Sequence, residues 1–456
     1  MNLRKKELSS TQVIMLGFLS VIFVGAFVLM LPICSAEGEI TSFLTALFTA
    51  TTSVCVTGLV VVDTFSYWSF FGQAVILILI QCGGLGVVTL STYVLILLGR
   101  KIGLKHRLLL EDSLNLDTLT GLIKFIQKVF MGTLLIEGIG ALCYMTVFVP
   151  EYGVLGIWMS VFNAVSAFCN AGMDVVGPLS LTEYVANPII NITTMVLIVL
   201  GGIGFVVWWD VIRVIKLRKN NEIMFHQVWH RLQFHSKVVI SATVSFILIG
   251  FVVVLLLEWG NPETLGELSI PVKIQAALFQ SITTRTAGFM TVSQSGLHDT
   301  TALVCMFLMF IGGSPVGTAG GIKTTTIAVL GIAVWSTIKG SNYTIAYNRR
   351  VNPVVVRKAL AVTVISALAL FCSLIMLLTF SEGEFIDIMY EAFSAIGTVG
   401  LSRGYTPSLS TVGRCVIIVA MYLGRTGPIS LAMAFTNSVG KNKASIEYPE
   451  ANITVG

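Results

Sequence analysis

The segment Ser394-Ala395-Ile396-Gly397-Thr398-Val399-Gly400-Leu401 is one of two closely related stretches in this chain. It aligns without a gap with Ser166-Ala167-Phe168-Cys169-Asn170-Ala171-Gly172-Met173. Two looser relatives, Val56-Thr57-Gly58-Leu59 and Thr286-Ala287-Gly288-Phe289, place a glycine at the same point of the pattern. The four glycines are separated by 114, 116 and 112 residues. This nearly constant spacing predicts a fourfold internal repeat.

A second glycine-rich segment follows each of these four segments after 24 to 29 residues. The four are Gly83-Gly84-Leu85-Gly86, Gly201-Gly202-Ile203-Gly204, Gly312-Gly313-Ser314-Pro315 and Gly424-Arg425-Thr426-Gly427. Two independent features that keep the same order four times are difficult to explain without a repeat. We therefore divide the chain into repeat A (1–116), repeat B (117–234), repeat C (235–352), and repeat D with a cytosolic C-terminal tail (353–456).

The composition is that of a membrane protein. The 456 residues are 55% hydrophobic and 11% charged, with a mean hydropathy of +0.88, outside the range of ordinary soluble domains. Eight apolar runs reach the roughly 20 residues that a spanning helix needs: 12–33, 70–98, 126–149, 189–209, 238–257, 302–335, 358–380 and 412–436. The 302–335 run is overlong and contains Gly, Ser and Pro in its middle, so we expect a break there. The sequence predicts an all-α polytopic fold.

Basic residues are divided unequally between the connections. Of the 28 Lys and Arg, 22 lie in the N-terminal segment, the 100–128, 213–237 and 339–358 connections, and the C-terminal tail. The positive-inside rule then places both termini of this multi-pass plasma-membrane protein in the cytoplasm. The net charge of +5 is therefore a topology signal, and we expect no nucleic-acid partner.

Each repeat is predicted to contain a span, a short amphipathic helix, the glycine segment and a second span. In repeat A the short helix, residues 41–52, would be about 18 Å long, roughly half of the hydrocarbon thickness. Non-helical backbone at that depth is tolerated only beside water or inside protein, and its carbonyl groups can replace the hydration shell of a cation. Glycine permits the positive φ that turns these carbonyls inward. The sequence thus predicts a cation pore with four re-entrant helices, although close helix packing would be the better explanation of any one glycine taken alone.

These segments resemble the Trk/Ktr/HKT superfamily of potassium transporters over nearly the whole chain. The more specific match is Gly312-Gly313-Ser314-Pro315-Val316-Gly317-Thr318-Ala319-Gly320-Gly321-Ile322-Lys323-Thr324, which is similar to the intramembrane gating loop of that superfamily. The resemblance implies a selectivity filter formed by Val56, Thr57, Gly58, Leu59, Asn170, Ala171, Gly172, Met173, Thr286, Ala287, Gly288, Phe289, Thr398, Val399, Gly400 and Leu401. It implies a gate within 312–321, formed with neighbouring charges by Gly312, Gly313, Ser314, Pro315, Gly317, Thr318, Gly320, Gly321, Lys323 and Arg425.

Eight spans without an additional N-terminal pair favour the Ktr type, a system of the bacterial inner membrane. The resemblance implies a homodimer with one pore in each subunit, and a cytosolic ring of nucleotide-binding RCK subunits that carries ATP or ADP. This chain itself is expected to bind no cofactor and only K⁺ at the filter, with a role for Na⁺ left open. Glycine at all four filter positions matches the potassium-selective pattern, since members with serine in the first repeat prefer sodium.

Four charged residues inside apolar segments are further candidates, because such charges are costly in a membrane. Arg425 is predicted to lie just past mid-membrane, where it could donate hydrogen bonds to carbonyls of the 312–321 loop. Lys323 is expected to face the inner vestibule. Arg285, inside the third filter segment, should point away from the ion path, against an outer carboxylate. Glu137 is interpreted as a packing or dimer-contact carboxyl, with a proton relay as the alternative.

Two other functions remain open at this stage. The channel-like subunit of a Kdp-type ATP-driven potassium pump shares the fourfold pore but is longer. A sodium-conducting or alternating-access secondary transporter is the other alternative, although such transporters usually contain two inverted repeats. No nucleophile–base pair or metal-ligand cluster is evident in the sequence, so we do not expect an enzyme.

Overall fold

Four times along the chain, a long helix is followed by a short helix that ends at a glycine segment. The computed structural model describes residues 9–98, 103, 110, 121–220 and 224–427. Its helices are α1 (Ser10–Leu29), α2 (Phe43–Cys55), α3 (Thr64–Tyr67), α4 (Phe70–Leu85), α5 (Val87–Leu97), α6 (Leu122–Tyr152), α7 (Val154–Cys169), α8 (Pro188–Gly202), α9 (Phe205–Lys219), α10 (Val228–Arg231), α11 (Phe234–Glu258), α12 (Ile270–Thr283), α13 (Asp299–Phe310), α14 (Thr324–Ile338), α15 (Pro353–Phe380), α16 (Phe385–Gly397) and α17 (Thr411–Thr426).

The long helices α1, α6, α11 and α15 open the four repeats. Each is long and apolar enough to cross a bilayer, yet only 22–33% of the most apolar window is buried within the chain. Most of their side chains therefore face outward, as expected for helices that meet lipid. Local signals set their ends: Ser9 forms a capping box at the start of α1, and Pro353 occupies the first turn of α15 after the Asn352 cap.

The short helices α2, α7, α12 and α16 contain 13, 16, 14 and 13 residues. At 1.5 Å per residue they span about 20–24 Å, less than the roughly 30 Å of hydrocarbon. Helix α2 begins at the Ser42 cap, whose side chain accepts a hydrogen bond from the Thr45 N–H. It ends at Val56, which has left-handed backbone angles, so the chain reverses instead of continuing across.

In repeats A, B and C the second helix is interrupted at the second glycine-rich segment. Helices α4 and α5 are bent by 99° at Gly86, and α8 and α9 by 100° at Gly204; both glycines have positive φ, which a right-handed helix cannot accommodate. The expected break in 302–335 is present, since α13 ends at Phe310 and α14 begins at Thr324. The sequence analysis named a break only in 302–335, so the bends within the 70–98 and 189–209 runs were not foreseen.

The number of spans is only partly defined. By length and composition the described residues contain four spanning helices, or six if each bent pair counts as one span, so the total of eight stays a prediction. Repeat D has α17, which ends at Thr426 beside Gly427. The basic residues of the N-terminal segment, the repeat boundary at 116, much of the 100–128 connection, the end of the 412–436 run and the C-terminal tail lie outside the described residues.

A small antiparallel hairpin joins repeats C and D. Its strands are β1 (Ile345–Ala346) and β2 (Arg349–Arg350). The turn residues Tyr347 and Asn348 both have positive φ, as a type I′ turn requires. Short 3₁₀ turns at Pro32–Cys34, Thr182–Tyr184, Phe225–Gln227 and Thr406–Ser408 complete the described elements.

Candidate ion pathway

The four glycine segments meet in a closed ring. A Cβ atom added to any of the four glycines would lie closer than 3.0 Å to one carbonyl oxygen of the next repeat. The pairs are Gly58 with Ala171, Gly172 with Ala287, Gly288 with Val399, and Gly400 with Thr57. The order therefore runs A to B to C to D and back to A. Only four segments arranged around one axis can satisfy this cycle.

Positive φ occurs twice in each segment. The glycines Gly58, Gly172, Gly288 and Gly400 have φ of 97°, 66°, 86° and 95°, as the sequence analysis expects. Two residues earlier stand Val56, Asn170, Thr286 and Thr398, with φ of 57°, 59°, 63° and 51°. Left-handed geometry costs a non-glycine residue about 1–2 kcal/mol, and three of these four are β-branched. Strain that recurs at four equivalent positions points to a functional backbone geometry.

Four hydroxyl residues near the ends of the short helices hold these segments, and none of them was among the site residues predicted from the sequence. Their carbonyls accept the N–H of the residue before each glycine at 2.8–3.0 Å. Their hydroxyls donate to the Met173 and Phe289 carbonyls or accept the Gly58 and Gly400 N–H groups. The four are Thr52, Ser166, Thr283 and Ser394. The available signal in the sequence was a Ser or Thr five or six residues before each glycine of the ring.

The ring is lined by backbone oxygen and contains no carboxylate among the predicted filter residues. Because the four short helices end there, their partially negative C-termini converge on it, which favours a cation. The buried hydroxyls of Thr57, Thr286 and Thr398 have no hydrogen-bond partner among the described residues. Carbonyl and hydroxyl oxygens of this kind are suitable ligands for an alkali cation.

The second glycine-rich segments have a packing role. A Cβ atom on Gly83, Gly201 or Gly424 would lie closer than 3.0 Å to a carbonyl at the end of the short helix of the same repeat. The carbonyls belong to Val54, Phe168 and Ile396, each four residues before a filter glycine. For these three glycines, close helix approach is the physical requirement.

Residues 311–323 form a non-helical loop whose two ends are bonded together. The Gly312 N–H donates to the Ile322 carbonyl at 2.8 Å, and the Thr324 N–H donates to the Gly313 carbonyl at 2.9 Å. The Thr324 hydroxyl also donates to the Gly312 carbonyl at 2.8 Å. The loop is thus closed at its base, and Pro315, Gly317 and the other predicted gate residues lie between these ends.

The body of the loop lies against the bend of repeat B. The Ser314 and Thr318 N–H groups donate to the Gly202 and Gly201 carbonyls at 2.8 and 3.1 Å, and the Phe205 N–H donates to the Val316 carbonyl at 3.0 Å. Every donor and acceptor in this set is backbone. The contact is therefore insensitive to side-chain identity but depends on the close approach of glycine backbone.

The loop also touches two of the four glycine segments that form the ring. The Thr318 hydroxyl lies 3.0 Å from the Phe168 carbonyl and 3.0 Å from Asn170 Oδ1. Gly320 lies against the Thr398 side chain, and any Cβ there would clash with the hydroxyl. The loop therefore contacts the helix ends that carry the ring.

Arg425 makes the hydrogen bond to the loop that the sequence analysis expects. Its guanidinium donates to the Thr318 carbonyl, and also to the Gly83 and Gly84 carbonyls, the latter at 3.2 Å. One side chain of repeat D thus connects the loop of repeat C to the second helix of repeat A. The contact with repeat A was not foreseen, because sequence distance gives no indication of it.

The charged groups of Lys323 and Arg285 have hydrogen-bond partners that differ in part from those expected. Lys323 is half-buried and its Nζ donates to the Ala319 carbonyl at 2.7 Å, an anchor within the loop itself. Arg285 does point away from the ring, but the expected outer carboxylate was wrong: its Nη2 donates to the Gly312 carbonyl and the Thr324 hydroxyl. Both acceptors lie at the break in repeat C, so the guanidinium is held there by hydrogen bonds instead of by an ion pair.

Glu137 lies inside the subunit, 4% exposed. Gln81 Nε2 donates to its Oε2 at 3.3 Å, and the Cys169 thiol lies 4.0 Å from its Oε1. Its interpretation as a packing carboxyl fits these contacts, whereas a contact with a second copy does not, because the side chain is covered by its own chain.

Comparisons with known proteins agree with this geometry. A family model described as TrkH, a cation transport protein, matches residues 8–445. The chain is 39% identical over 446 residues to the Ktr system potassium uptake protein B of Bacillus subtilis, covering 98% of this chain and 96% of that protein. It is 36% identical over 458 residues to the potassium/sodium uptake protein NtpJ of Enterococcus hirae, covering 99% and 98%. The crystal structure of the potassium transporter TrkH from Vibrio parahaemolyticus matches with a TM-score of 0.73 at 17% identity, over 96% of this chain and 87% of that one, which concerns the fold alone.

Proposed function

Since the chain belongs to the TrkH family of cation transport proteins, which are ion transporters and not enzymes, we propose that it takes up potassium across the plasma membrane. The ion would pass through the ring at Gly58, Gly172, Gly288 and Gly400. The single observation that carries this proposal is the cyclic contact of each glycine with a carbonyl of the next repeat. Such a ring offers a dehydrated cation oxygen atoms from four sides at once.

The choice of potassium rests on the relatives and on the filter residues. Two of the relatives are named for potassium uptake and for potassium/sodium uptake, so sodium is the second candidate. Glycine at all four positions favours potassium, because a serine side chain would add bulk and a hydroxyl where the backbone geometry is set. A Kdp-type subunit is disfavoured, since the chain matches these relatives over 96% and 98% of their own length.

The loop at 312–321 is the proposed gate. Its position beneath the ring is supported by the contacts of Thr318 with the Phe168 carbonyl and with Asn170, and of Gly320 with Thr398. Its backbone has little intrinsic preference for helix, because Gly and Pro are the weakest helix formers. Withdrawal of the loop would open the pathway on the inner side.

The remaining features of the proposal concern assembly. We propose eight spans, four re-entrant pore helices, both termini in the cytoplasm, and a homodimer with one pore in each subunit. A cytosolic nucleotide-binding RCK ring would regulate conduction by docking on the basic inner segments 213–237 and 339–358, with ATP or ADP bound to the ring and not to this chain.

Serine substitutions in the ring test the filter. Gly58→Ser and Gly288→Ser place a Cβ against a carbonyl of the next repeat and a side chain at positive φ. We expect a lower ratio of potassium to sodium uptake in cells that lack other potassium systems. Gly138→Ser is the matched control, because a Cβ there meets nothing within 4 Å. Unchanged ion selectivity in both ring variants would contradict the filter assignment. A preference of the parent protein for sodium over potassium would favour the second candidate.

A further inference from the structure

Arg285 interrupts the fourfold pattern of the ring. The position three residues before the filter glycine is occupied by Cys55, Cys169 and Gly397 in the other repeats. In those repeats the second helix approaches the end of the short helix through a glycine. Repeat C lacks that contact, since Gly312 faces the Gly320 carbonyl of its own loop. Arg285 is thus the one large residue at this position, in the repeat whose second helix is interrupted by the 311–323 loop.

The guanidinium of Arg285 binds both ends of the loop. Its Nη2 lies 3.1 Å from the Gly312 carbonyl and 3.0 Å from the Thr324 hydroxyl. Since the Thr324 hydroxyl also donates to the Gly312 carbonyl, the three groups form a closed triangle at the base of the loop. Charge-assisted hydrogen bonds of this kind are the stronger ones in a protein interior.

Within the described part of the chain, no carboxylate compensates the charge of Arg285. Arg285 is 6% exposed, and among the described residues no Asp or Glu forms an ion pair with it. Its guanidinium lies over the Phe246 ring, 5.5 Å from the centroid. A buried cation held only by carbonyl, hydroxyl and ring is expensive at membrane depth and therefore calls for a functional reason.

The backbone of Arg285 lies in the filter segment. Its neighbour Thr286 has positive φ, and the carbonyl of Ala287 faces Gly172 in the ring. A second link runs the same way: Asn170 Nδ2 lies 3.5 Å from the Arg285 carbonyl, while Asn170 Oδ1 lies 3.0 Å from the Thr318 hydroxyl. The third filter segment is therefore attached to both the base and the middle of the loop.

We propose that Arg285 is a positioning residue that couples the loop to the filter. Its backbone is part of the third filter segment, whose Ala287 carbonyl completes the ring. Its side chain binds Gly312 and Thr324, on which the loop must hinge. A displacement of the loop base is thereby transmitted to the filter, so ion selectivity depends on the integrity of the Arg285–Gly312–Thr324 triangle. This inference rests on the proposed function of ring and loop.

Two substitutions weaken the triangle in different ways. Thr324→Val removes the hydroxyl but keeps the shape of the side chain and leaves Arg285 in place. Arg285→Lys keeps the charge but replaces a fork-shaped donor by a shorter point charge. Thr324→Ser retains the hydroxyl and is expected to behave as the parent. Thr337→Val is the matched control at the far end of α14, where the hydroxyl donates to the Ala333 carbonyl on an exposed turn.

The measurement is the ratio of potassium to sodium flux through the full-length chain in membrane vesicles, corrected for the amount of protein. Loss of one charge-assisted hydrogen bond should change this ratio about tenfold in Thr324→Val and Arg285→Lys, with no change in Thr324→Ser or Thr337→Val. A purely structural role would lower both fluxes in proportion and leave the ratio constant, which would overturn the proposal. Should Arg285→Lys fail to accumulate, Thr324→Val decides.

Gly58→Ser in the same assay distinguishes the filter assignment from the coupling role of Arg285. If it changes the flux ratio while the triangle variants do not, the filter stands and the coupling role of Arg285 is wrong. If both Gly58→Ser and Gly288→Ser leave the ratio unchanged, the filter assignment itself fails, and the coupling proposal fails with it.

Discussion

Removing the guanidinium of Arg425 should open the proposed gate. The side chain connects three repeats, because it stands on α17 of repeat D and donates to Thr318 of the loop and to Gly83 and Gly84 of repeat A. In Arg425→Ala the loop loses its only hydrogen bond from repeat D among those of the described side chains. We therefore expect the loop to leave its place beneath the ring more often.

The size of the effect follows from the type of bond. A hydrogen bond to a charged group contributes about 1.5–3 kcal/mol. If the Thr318 contact exists only in the closed arrangement, its loss shifts the closed-to-open equilibrium by the same amount, which is roughly a ten- to hundredfold change. The contacts with Gly83 and Gly84 join two helices and are expected to affect stability more than gating. Arg425→Lys, which can reach one of these carbonyls but cannot span all three, should give an intermediate result.

The shift in the closed-to-open equilibrium can be followed by rubidium or potassium uptake, with and without the cytosolic partner, in cells that lack other potassium systems. Arg425→Ala should raise flux in the absence of the partner toward the level seen in its presence. Arg414→Ala is the matched control, since this arginine lies on the same helix but bonds the Leu409 and Pro407 carbonyls at its other end. If Arg425→Ala accumulates in the membrane and still conducts only with an active partner, the loop is a structural kink and not a gate.

Three further outcomes are expected. Gly201→Ala forces a Cβ against the Phe168 carbonyl and should lower the free energy of unfolding by about 1–3 kcal/mol, which would appear as a lower melting temperature in detergent. Gly331→Ala, where a Cβ meets nothing within 4 Å, should be neutral, and equal melting temperatures of the two variants would contradict the packing role of Gly201. Asp174 lies two residues after the ring glycine Gly172 and is 8% exposed, and we expect its carboxylate to attract cations to the ring. Burial, opposed by hydrogen bonds from Ser180, Val176 and Gly177 and reinforced by the charge of Asp63, raises the pKa of Asp174 to about 6. Acidifying the outer solution below that value should neutralise the carboxylate and raise the KM for the cation; Asp174→Asn should show this higher KM at every pH, and a pH response that survives the substitution would contradict the attraction. Truncation of 440–456 should weaken binding of the partner ring in size-exclusion chromatography, and binding of labelled ATP by the isolated chain would contradict the absence of a nucleotide site here.

Periodicity and composition were sufficient for the repeat and its local backbone. Four glycines at a spacing of 112–116 residues indicated the repeat, and their need for positive φ could be stated because few other residues tolerate it. The break in 302–335 followed from weak helix propensity across a run of Gly, Ser and Pro. These features depend on residues close together in sequence, where local sterics decide the conformation.

The bends at Gly86 and Gly204 were missed for a related reason. A single glycine costs a helix only about 1 kcal/mol, so tertiary contacts decide whether the helix continues. In repeat B the bend receives the loop of repeat C: the Gly201 and Gly202 carbonyls accept its N–H groups, and Gly204 packs against the Pro315 carbonyl. Local propensity carries no information about a loop that lies more than a hundred residues away.

The sequence by itself determined that four glycine segments exist, which residues stand in them, and that Arg285 and Arg425 are buried charges in need of partners. The tertiary structure decided the partners: the next repeat's carbonyl for each glycine, three carbonyls of two repeats for Arg425, and the base of the loop, not an outer acid, for Arg285. A hydrogen-bonding requirement is a property of a residue type and can be read from the chain. Which acceptor satisfies it depends on the relative placement of whole helices, and that placement arises only when all four repeats pack around one axis.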